Sequence, residues 1–212
     1  MEIHNPDDQL ASLKNWWRQY GRAVITGIVI GIVVLSTLSY WRQHRTQQGK
    51  EASVLYDGLV ANFQQGKRDE VFSAATRLMQ DYEATPYAGK AALAVARLRF
   101  DGKDLDGSRE ALEWAVRHAS ESAVQHSARL RLGRLLLEQK NHEAALTLID
   151  VRARDGFESE YEELRGDALL AKGDTRAARA AYQAALDKLP SGSNYGNWLA
   201  MKRNGISNEA TP

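Results

Sequence analysis

The side chains that most often carry out chemistry in proteins are sparse in this sequence. It contains no Cys, which excludes disulfides, iron–sulfur clusters and thiolate zinc sites. Its five His residues include no HExxH pair, so a metal site would need carboxylates that are distant in the sequence. None of its Gly-Lys pairs has the preceding Gly and the following Ser or Thr of a phosphate-binding loop. We therefore predict no catalytic residue, no metal site and no cofactor, and a protein that is not an enzyme.

Length and charge narrow the class of protein further. With 212 residues the chain has room for one domain of roughly 100 to 200 residues and an appendage. Lys and Arg number 28 against 27 for Asp and Glu, so the net charge of +1 lacks the basic excess that nucleic-acid binding requires. Hydrophobic residues make up 43% of the chain, which is enough for a core. Nucleic acid is therefore not a predicted partner.

Residues 23–41 form an uncharged and mainly aliphatic stretch. At about 1.5 Å per residue, a helix of this length reaches across a hydrocarbon layer about 30 Å thick. A soluble core helix is the first alternative, but such helices normally show a polar stripe, which this stretch lacks. A cleaved signal peptide is the second, with a weak cleavage site at Thr37-Leu38-Ser39, but the stretch is longer than an ordinary signal-peptide core. We predict a membrane-spanning helix over 23–41.

The flanks of the apolar stretch agree with a membrane location. Aromatic rings stand near both ends, where headgroups would lie, and the predicted membrane-interface anchors are Trp16, Trp17, Tyr20, Tyr40 and Trp41. Within the stretch, Gly27 and Gly31 form a GxxxG pair, a pattern that lets helix backbones approach closely in lipid. We therefore predict that these two glycines pack against another membrane helix.

The charges beside the stretch do not decide its orientation. The preceding tail, 1–22, and the following juxtamembrane linker, 42–50, each carry three Lys or Arg residues. In the tail, apolar and aromatic residues recur at helical spacing, as in a helix that lies on the membrane surface. The alternative is that this segment is an early turn of the spanning helix.

From residue 51 onward the sequence predicts paired helices. Ala, Leu, Arg and Glu dominate, and turn signals recur between amphipathic runs of helical period. These turn signals are Gln65-Gly66-Lys67, Asp101-Gly102-Lys103, Gln139-Lys140-Asn141 and Lys172-Gly173-Asp174. Residues 159–192 have the spacing of a tetratricopeptide unit, marked by Gly166, Gly173, Ala178, Tyr182, Ala185 and Pro190. Earlier units follow at offsets of 33 and 37 residues.

The predicted fold is therefore all-α. An N-terminal transmembrane helix precedes a tetratricopeptide-like solenoid over 51–204, built from about three to four helical hairpins. A capping helix over 194–204, including Trp198 and Met201, is predicted to cover the last apolar face, since that face would otherwise meet water. Residues 205–212 are predicted to be a flexible C-terminus.

A solenoid of this kind presents a concave surface, formed mostly by the first helix of each pair, that binds peptides or partner helices. The register assigns to this groove Lys90, Leu93, Arg97, Phe100, Leu130, Arg134, Leu137, Glu160, Glu163, Asp167 and Leu170. The alternative is that its charged members are a solvated face with salt links between repeats. A hydrolase hidden on the array is a further alternative, although the sequence has no nucleophile-elbow motif.

The order of these segments resembles the YfgM family, the ancillary subunit of the SecYEG translocon in Gram-negative bacteria. The resemblance covers roughly residues 2 to 204. It rests on KNWWRQYGRAV before the apolar stretch, YWRQHR and GKEASVLYDGLV after it, and the repeat segment LRGDALLAKGDTRAARAAY.

This resemblance implies a single-pass protein of the bacterial inner membrane, with its N-terminus in the cytoplasm and its repeat domain in the periplasm. It also implies partnership with the SecYEG translocon and with a membrane-anchored periplasmic foldase of the PpiD type. The implied role is to help pass newly exported client proteins to periplasmic chaperones through protein–protein contacts. The competing hypothesis is a membrane-anchored regulatory adaptor whose cytoplasmic tail restrains a stress-response signalling protein.

Overall fold

The computed structural model describes residues 6–151, 156–190 and 192–206, and every regular element in these ranges is an α-helix. The helices are α1 Pro6–Gln64, α2 Arg68–Asp81, α3 Pro86–Asp101, α4 Leu105–His118, α5 Ser122–Glu138, α6 His142–Ile149, α7 Glu158–Ala171, α8 Thr175–Asp187 and α9 Tyr195–Asn204. The predicted all-α class is confirmed. Most of the predicted flexible C-terminus lies outside the described residues, as do the apolar side chains of the tail before position 14.

The chain divides into two compact units, Met1–Lys50 and Glu51–Pro212. In the first unit, residues 6–50 are helical without interruption, as part of α1. Pro6 stands at the start of α1, where a missing N–H has no cost, and the next Pro is Pro86. The helix continues through the predicted tail, span and linker, as in the alternative that the tail is an early turn of the spanning helix. The boundaries of these three segments stay predictions.

The apolar stretch of the first unit is exposed along the helix. Among the described residues, α1 contains the segment that is long and apolar enough to cross a membrane, with a mean hydropathy of 2.2 over its best window. Ile28 is 56% exposed and Leu35 66% exposed. Aliphatic side chains in such a continuous exposed run require an apolar surrounding, either lipid or another protein.

The second unit stacks helical hairpins in sequence order. Residues 51–64 of α1 share a core cluster with α2 and form the first hairpin with it. The next hairpins are α3 with α4, α5 with α6, and α7 with α8. The final helix, α9, packs on α8. The four hairpins and the terminal helix in the described residues confirm the predicted solenoid.

Each hairpin turn has the same backbone construction. The residue with left-handed backbone is Gly66, Lys103, Lys140 or Gly173, with φ between 59° and 86°. In the last three hairpins the next residue is the N-cap of the second helix, and its side chain accepts a hydrogen bond from a backbone N–H three residues on. These N-cap residues are Asp104, Asn141 and Asp174. This capping satisfies a backbone donor that the helix leaves unpaired and fixes where the second helix begins.

Complementary sizes set the spacing between the two helices of a hairpin. A Cβ atom on Gly166 would lie 2.6 Å from the ring of Tyr182, so the buried Tyr182 fits only because residue 166 has no side chain. In the second hairpin the position of Gly166 is taken by the larger Ala96, and the position of Tyr182 by the smaller Leu112. There Ser108 also donates a hydrogen bond to the Ala96 carbonyl oxygen at 2.9 Å.

The terminal helix covers the end of the solenoid with a different side chain from those expected. Leu199 is fully buried, whereas Trp198 and Met201 are 45% and 57% exposed. Ile206, just beyond α9, joins Ala178 and Tyr182 in the last core cluster. The sequence analysis assigned the covering face to Trp198 and Met201, whereas the structure uses Leu199. The short segment contains several apolar residues, so its sequence alone does not determine which of them is buried.

Candidate partner-binding groove

An open groove with a volume of about 690 Å³ lies between the first helices of the first three hairpins. Its walls come from the end of α1 and from α3, α4 and α5. The lining residues are Phe63, Ala96, Arg97, Phe100, Asp101, Ser108, Leu112, Arg131, Arg134, Leu135 and Glu138. This volume falls within the range of about 300 to 1,000 Å³ that is typical of ligand-binding clefts.

The inner part of the groove is apolar. Phe63 and Phe100 are half-buried, and Leu112 and Leu135 are almost fully buried beneath the opening. The one hydroxyl at this depth, on Ser108, is already used as a donor within the protein. Apolar side chains of a bound segment could therefore leave water here without leaving a polar group of the groove unpaired.

The rim of the groove carries three Arg residues and two carboxylates. Arg97 forms an ion pair with Asp101 at 2.8 Å, one helical turn along α3. Arg134 approaches Glu163 of α7 at 3.9 Å and is about half exposed. Arg131 is exposed and forms no ion pair within the described part of the chain. The α5 side of the rim therefore presents two adjacent guanidinium groups to solvent.

Of the predicted groove residues, Arg97, Phe100 and Arg134 line this groove. Lys90 stands near the start of α3 and pairs with Glu121 at 3.0 Å, away from the lining. Leu130 is buried with Ile149, Tyr161 and Leu164. Leu93 and Leu137 pack against core clusters.

The four residues predicted on α7 do not reach the groove. Glu160 is partly exposed and Leu170 is 40% exposed, outside the lining. Glu163 and Asp167 contact α9 instead, in what we call the α7–α9 polar cluster, which consists of Glu163, Asp167, Tyr182, Tyr195, Trp198 and Lys202. The prediction placed these two acids on an open face, and the structure places α9 over them.

The α7–α9 polar cluster is centred on a buried carboxylate. Glu163, whose side chain is only 4% exposed, accepts hydrogen bonds from Tyr195 at 2.7 Å, Lys202 at 2.8 Å and the Trp198 indole at 3.3 Å. A buried charge is tolerated only when it is paired and hydrogen-bonded, and Glu163 satisfies both conditions.

Asp167 continues the cluster one turn further along α7. It accepts hydrogen bonds from Lys202 at 2.7 and 2.9 Å and from the Tyr182 hydroxyl at 2.6 Å. Lys202 thus joins two carboxylates of α7 through one ammonium group.

The contacts of the cluster shift the pKa values of its members. Burial opposes the ionisation of Glu163, but the hydrogen bonds from Lys202 and Tyr195 and the charge of Lys202 outweigh it, so its pKa is lowered. Burial and the hydrogen bond to Glu163 raise the pKa of Tyr195 to about 12. Burial and the contact with Asp167 also raise the pKa of Tyr182. Glu163 is therefore ionised and the two phenols are neutral at neutral pH.

Several lining residues were missing from the sequence prediction, and the repeat offset could have found some of them. A step of 37 residues back from Phe100 reaches Phe63, and the same step relates Asp101 to Glu138. The first hairpin was too degenerate for its register to be used. Arg131 has no such signal, since the equivalent residue of α3 is Ala94.

In the first unit, the predicted interface anchors form two exposed aromatic groups. Trp16 contacts Trp17 and Tyr20, with ring centroids 6.3 and 6.0 Å apart. At the other end, Tyr40 stacks on His44, and the Arg45 guanidinium lies 4.3 Å from the ring centroid of Trp41. Rings beside cationic groups are typical of the headgroup levels of a membrane.

The two predicted packing glycines are bare on the surface of α1. A Cβ atom at Gly27 or at Gly31 would meet nothing within 4 Å. Nearby hydroxyls are satisfied within the helix, since Thr26 and Thr37 donate to carbonyl oxygens four residues earlier. The structure therefore leaves a smooth shallow strip at these glycines.

The comparisons with known proteins agree with this arrangement. The family described as tetratricopeptide repeat-like domain matches residues 14–208. The ancillary SecYEG translocon subunit of Escherichia coli K12 is 30% identical over 210 residues, which span 98% of this chain and 100% of that protein. The chain belongs to the family of this ancillary subunit, the YfgM family.

More distant members of the YfgM family match along most of their length. The ancillary SecYEG translocon subunit of Neisseria gonorrhoeae is 26% identical over 95% of this chain and 98% of that protein. The Haemophilus influenzae subunit is 25% identical over 84% of this chain and 87% of its own length. No solved structure matches the chain significantly. The sequence resemblance to the YfgM family is thus confirmed over both the apolar helix and the repeats.

Proposed function

We propose that this protein is a non-enzymatic ancillary subunit of the SecYEG translocon. The observation that carries the proposal is the whole-length similarity to a protein of that name, which includes both the apolar part of α1 and the repeat unit. In this proposal residues 23–41 anchor the chain in the bacterial inner membrane. The tail 1–22 lies in the cytoplasm, and the repeat unit lies in the periplasm.

The proposed role is to help pass newly exported proteins to periplasmic chaperones and to a membrane-anchored foldase of the PpiD type. An anchor confines the repeat unit to the membrane, which raises its local concentration where exported chains emerge. Weak contacts in the groove are then sufficient. The apolar interior and charged rim of the groove support such contacts with polypeptide segments.

Topology is the first test, because the hand-off role requires the repeat unit in the periplasm. The chain has no Cys, so Asn5→Cys and Lys188→Cys each introduce the only thiol, and Lys188 is exposed. Spheroplasts are treated with a membrane-impermeant maleimide, with permeabilised cells as the control for reactivity. We expect labelling at position 188 and none at position 5. Labelling at position 5 alone would put the repeat unit in the cytoplasm and contradict the proposal.

The association with the translocon is tested by copurification. The unmodified chain is compared with a variant in which residues 23–41 are replaced by an unrelated apolar span, so that anchoring is kept. A second variant, Gly27→Leu with Gly31→Leu, fills the strip at the bare glycines. We expect SecYEG recovery to fall in both. Absence of SecYEG from the unmodified sample would contradict the association itself, and equal recovery in all three would contradict a contribution from the span.

A further inference from the structure

The α5 and α7 faces use equivalent repeat positions with opposite charge. Positions 97, 134 and 167 are related by the repeat offsets of 37 and 33 residues, and they are Arg, Arg and Asp. Positions 93, 130 and 163 are related in the same way, and they are Leu, Leu and Glu. The fold therefore places Arg residues on α3 and α5, with Asp101 and Glu138 beside them on the rim of the groove, and carboxylates at the equivalent positions of α7. We call the groove side with its three Arg residues the cationic surface, and the α7 side the anionic surface.

The anionic surface shows how this repeat holds a helix. α9 supplies Tyr195, Trp198 and Lys202, at spacings of three and four residues on one helical face. The Lys202 ammonium group donates hydrogen bonds to Glu163 and Asp167 of α7. The Tyr195 hydroxyl and the Trp198 indole N–H also donate to Glu163. An acidic face is thus occupied by an amphipathic helix that carries the complementary charge beside aromatic side chains.

The cationic surface is open and also combines charged with aromatic side chains, but here the charge is positive. Arg131 and Arg134 stand on its rim, with Phe63 and Phe100 beside them, and no element of the described chain covers the groove. Arg134 has Glu163 at 3.9 Å, whereas Arg131, one turn earlier on α5, is exposed and has no ion pair within the described residues, so its guanidinium group is available to an added anion. A guanidinium group binds a carboxylate through two parallel hydrogen bonds, and this bidentate geometry makes carboxylates its preferred partners.

We propose that the groove binds an acidic amphipathic segment of a partner protein. Its carboxylates contact Arg131 and Arg134, and its aromatic or aliphatic side chains pack on Phe63, Phe100 and Leu135. This inference rests on the proposed function, for which it names the chemistry of the partner. It also states a specificity, because the rim has three Arg residues against two carboxylates, which favours an acidic segment over a basic one of the same shape.

The test uses the full chain in phosphatidylcholine nanodiscs and two fluorescein-labelled 16-residue peptides. One peptide has Leu and Phe at helical spacing and Glu at its remaining positions; the other has Lys in place of every Glu. Binding is followed by fluorescence anisotropy, and empty nanodiscs correct for binding to lipid. We expect the Glu peptide to bind at least tenfold more tightly than the Lys peptide, with an affinity that falls as salt is raised.

Substitutions at Arg131 test the site, since this exposed residue has no ion pair to lose among the described residues. We expect Arg131→Glu to weaken the Glu peptide at least tenfold and Arg131→Gln to weaken it less. The matched control is Arg176→Glu, an exposed residue of α8 outside the groove, for which we expect no change. Circular dichroism melts of all variants confirm that each is folded.

Three results would overturn the inference: equal binding of the two peptides, no binding of the Glu peptide, or an equal loss in Arg176→Glu. Anionic lipid is a separate occupant, and peptide release by phosphatidylglycerol nanodiscs through Arg131 would assign the rim to lipid instead. Copurification with SecYEG distinguishes the two levels. If it persists while the Glu peptide fails to bind, only the groove chemistry is wrong; if it fails while the peptide binds, the proposed function is wrong.

Discussion

The third and fourth hairpins are built alike, yet one leaves its first helix open and the other has it covered. Arg134 of α5 reaches its nearest carboxylate only at 3.9 Å and stays about half exposed. At the equivalent position of α7, Asp167 is held by Lys202 and by the Tyr182 hydroxyl. A surface position of this repeat becomes a structural contact when the same chain provides the complementary charge, and otherwise it stays available to a partner.

The largest effect on this comparison is expected from Lys202→Ala. Glu163 and Asp167 would lose their shared cation, and Glu163 would keep a buried charge with uncharged hydrogen-bond donors and with Arg134 only at 3.9 Å. We expect the free energy of unfolding of the repeat unit to fall by about 3 kcal/mol, since breaking a buried pair leaves an uncompensated charge. Urea unfolding followed by circular dichroism measures it.

The control is Lys202→Ala combined with Glu163→Gln and Asp167→Asn, which also removes the acids. We expect part of the stability to return in this triple variant, because neutral amides tolerate burial better than unpaired carboxylates. If Lys202→Ala alone changes the stability by less than about 0.5 kcal/mol, the cluster is a surface contact of the ordinary kind.

Gly166→Ala tests the size match inside the fourth hairpin, which we call the closed hairpin because α9 covers its first helix. The added Cβ would lie 2.6 Å from the Tyr182 ring, whose hydroxyl is tied to Asp167 and cannot move freely. We expect a loss of about 2 kcal/mol from overpacking, despite the better helix propensity of Ala. Gly58→Ala is the matched control, because nothing lies within 4 Å of its Cβ, and thermal melts should show no loss there. A neutral Gly166→Ala would mean that the ring can shift.

Acid should weaken the closed hairpin through Glu163. The folded-state pKa of Glu163 lies below its usual value, so its ionised form contributes stability above the unfolded pKa of about 4.3, and this contribution is lost as the pH falls through the folded pKa. We expect the unfolding free energy to drop below about pH 4 more steeply in the unmodified protein than in Glu163→Gln. Urea titrations between pH 7 and pH 3 compare the slopes. Parallel curves would show that other carboxylates dominate.

The smallest effect is expected from Arg97→Ala in the open second hairpin. Its ion pair with Asp101 is a solvent-exposed contact along one helix. We expect a loss of at most about 0.5 kcal/mol, within the usual range for such pairs. A loss as large as that of Lys202→Ala in the same urea assay would remove the distinction between the open and closed hairpins.

The repeat architecture could be predicted because its determinants are local. Turns at Gly66 and Gly173 follow from the tolerance of glycine for positive φ, and the alternation of large and small residues has a fixed period. In the turn over residues 101–103, the left-handed residue is Lys103 and Gly102 has φ −80°. The sequence showed the turn but not which residue adopts that conformation.

The open surface was only partly predictable, because exposure depends on what else covers it. Arg97, Phe100 and Arg134 were found from the register alone. Glu163 and Asp167 have the same register, but their burial depends on α9, about 35 residues further along the chain. Sequence periodicity assigns a residue to a face and carries no information about a distant helix that packs on that face.

The short second helix of the third hairpin has a consequence for cooperativity. At eight residues, α6 is the shortest helix in the described part of the chain, while its counterparts α4 and α8 have 14 and 13. Two turns of helix are marginal without tertiary packing, and α6 buries only Ala145 and Ile149. Amide hydrogen exchange should therefore be fastest at α6, dividing the solenoid into one cooperative block around the groove and another around the α7–α9 polar cluster. Local unfolding at α6 would then leave the hairpin that α9 completes intact.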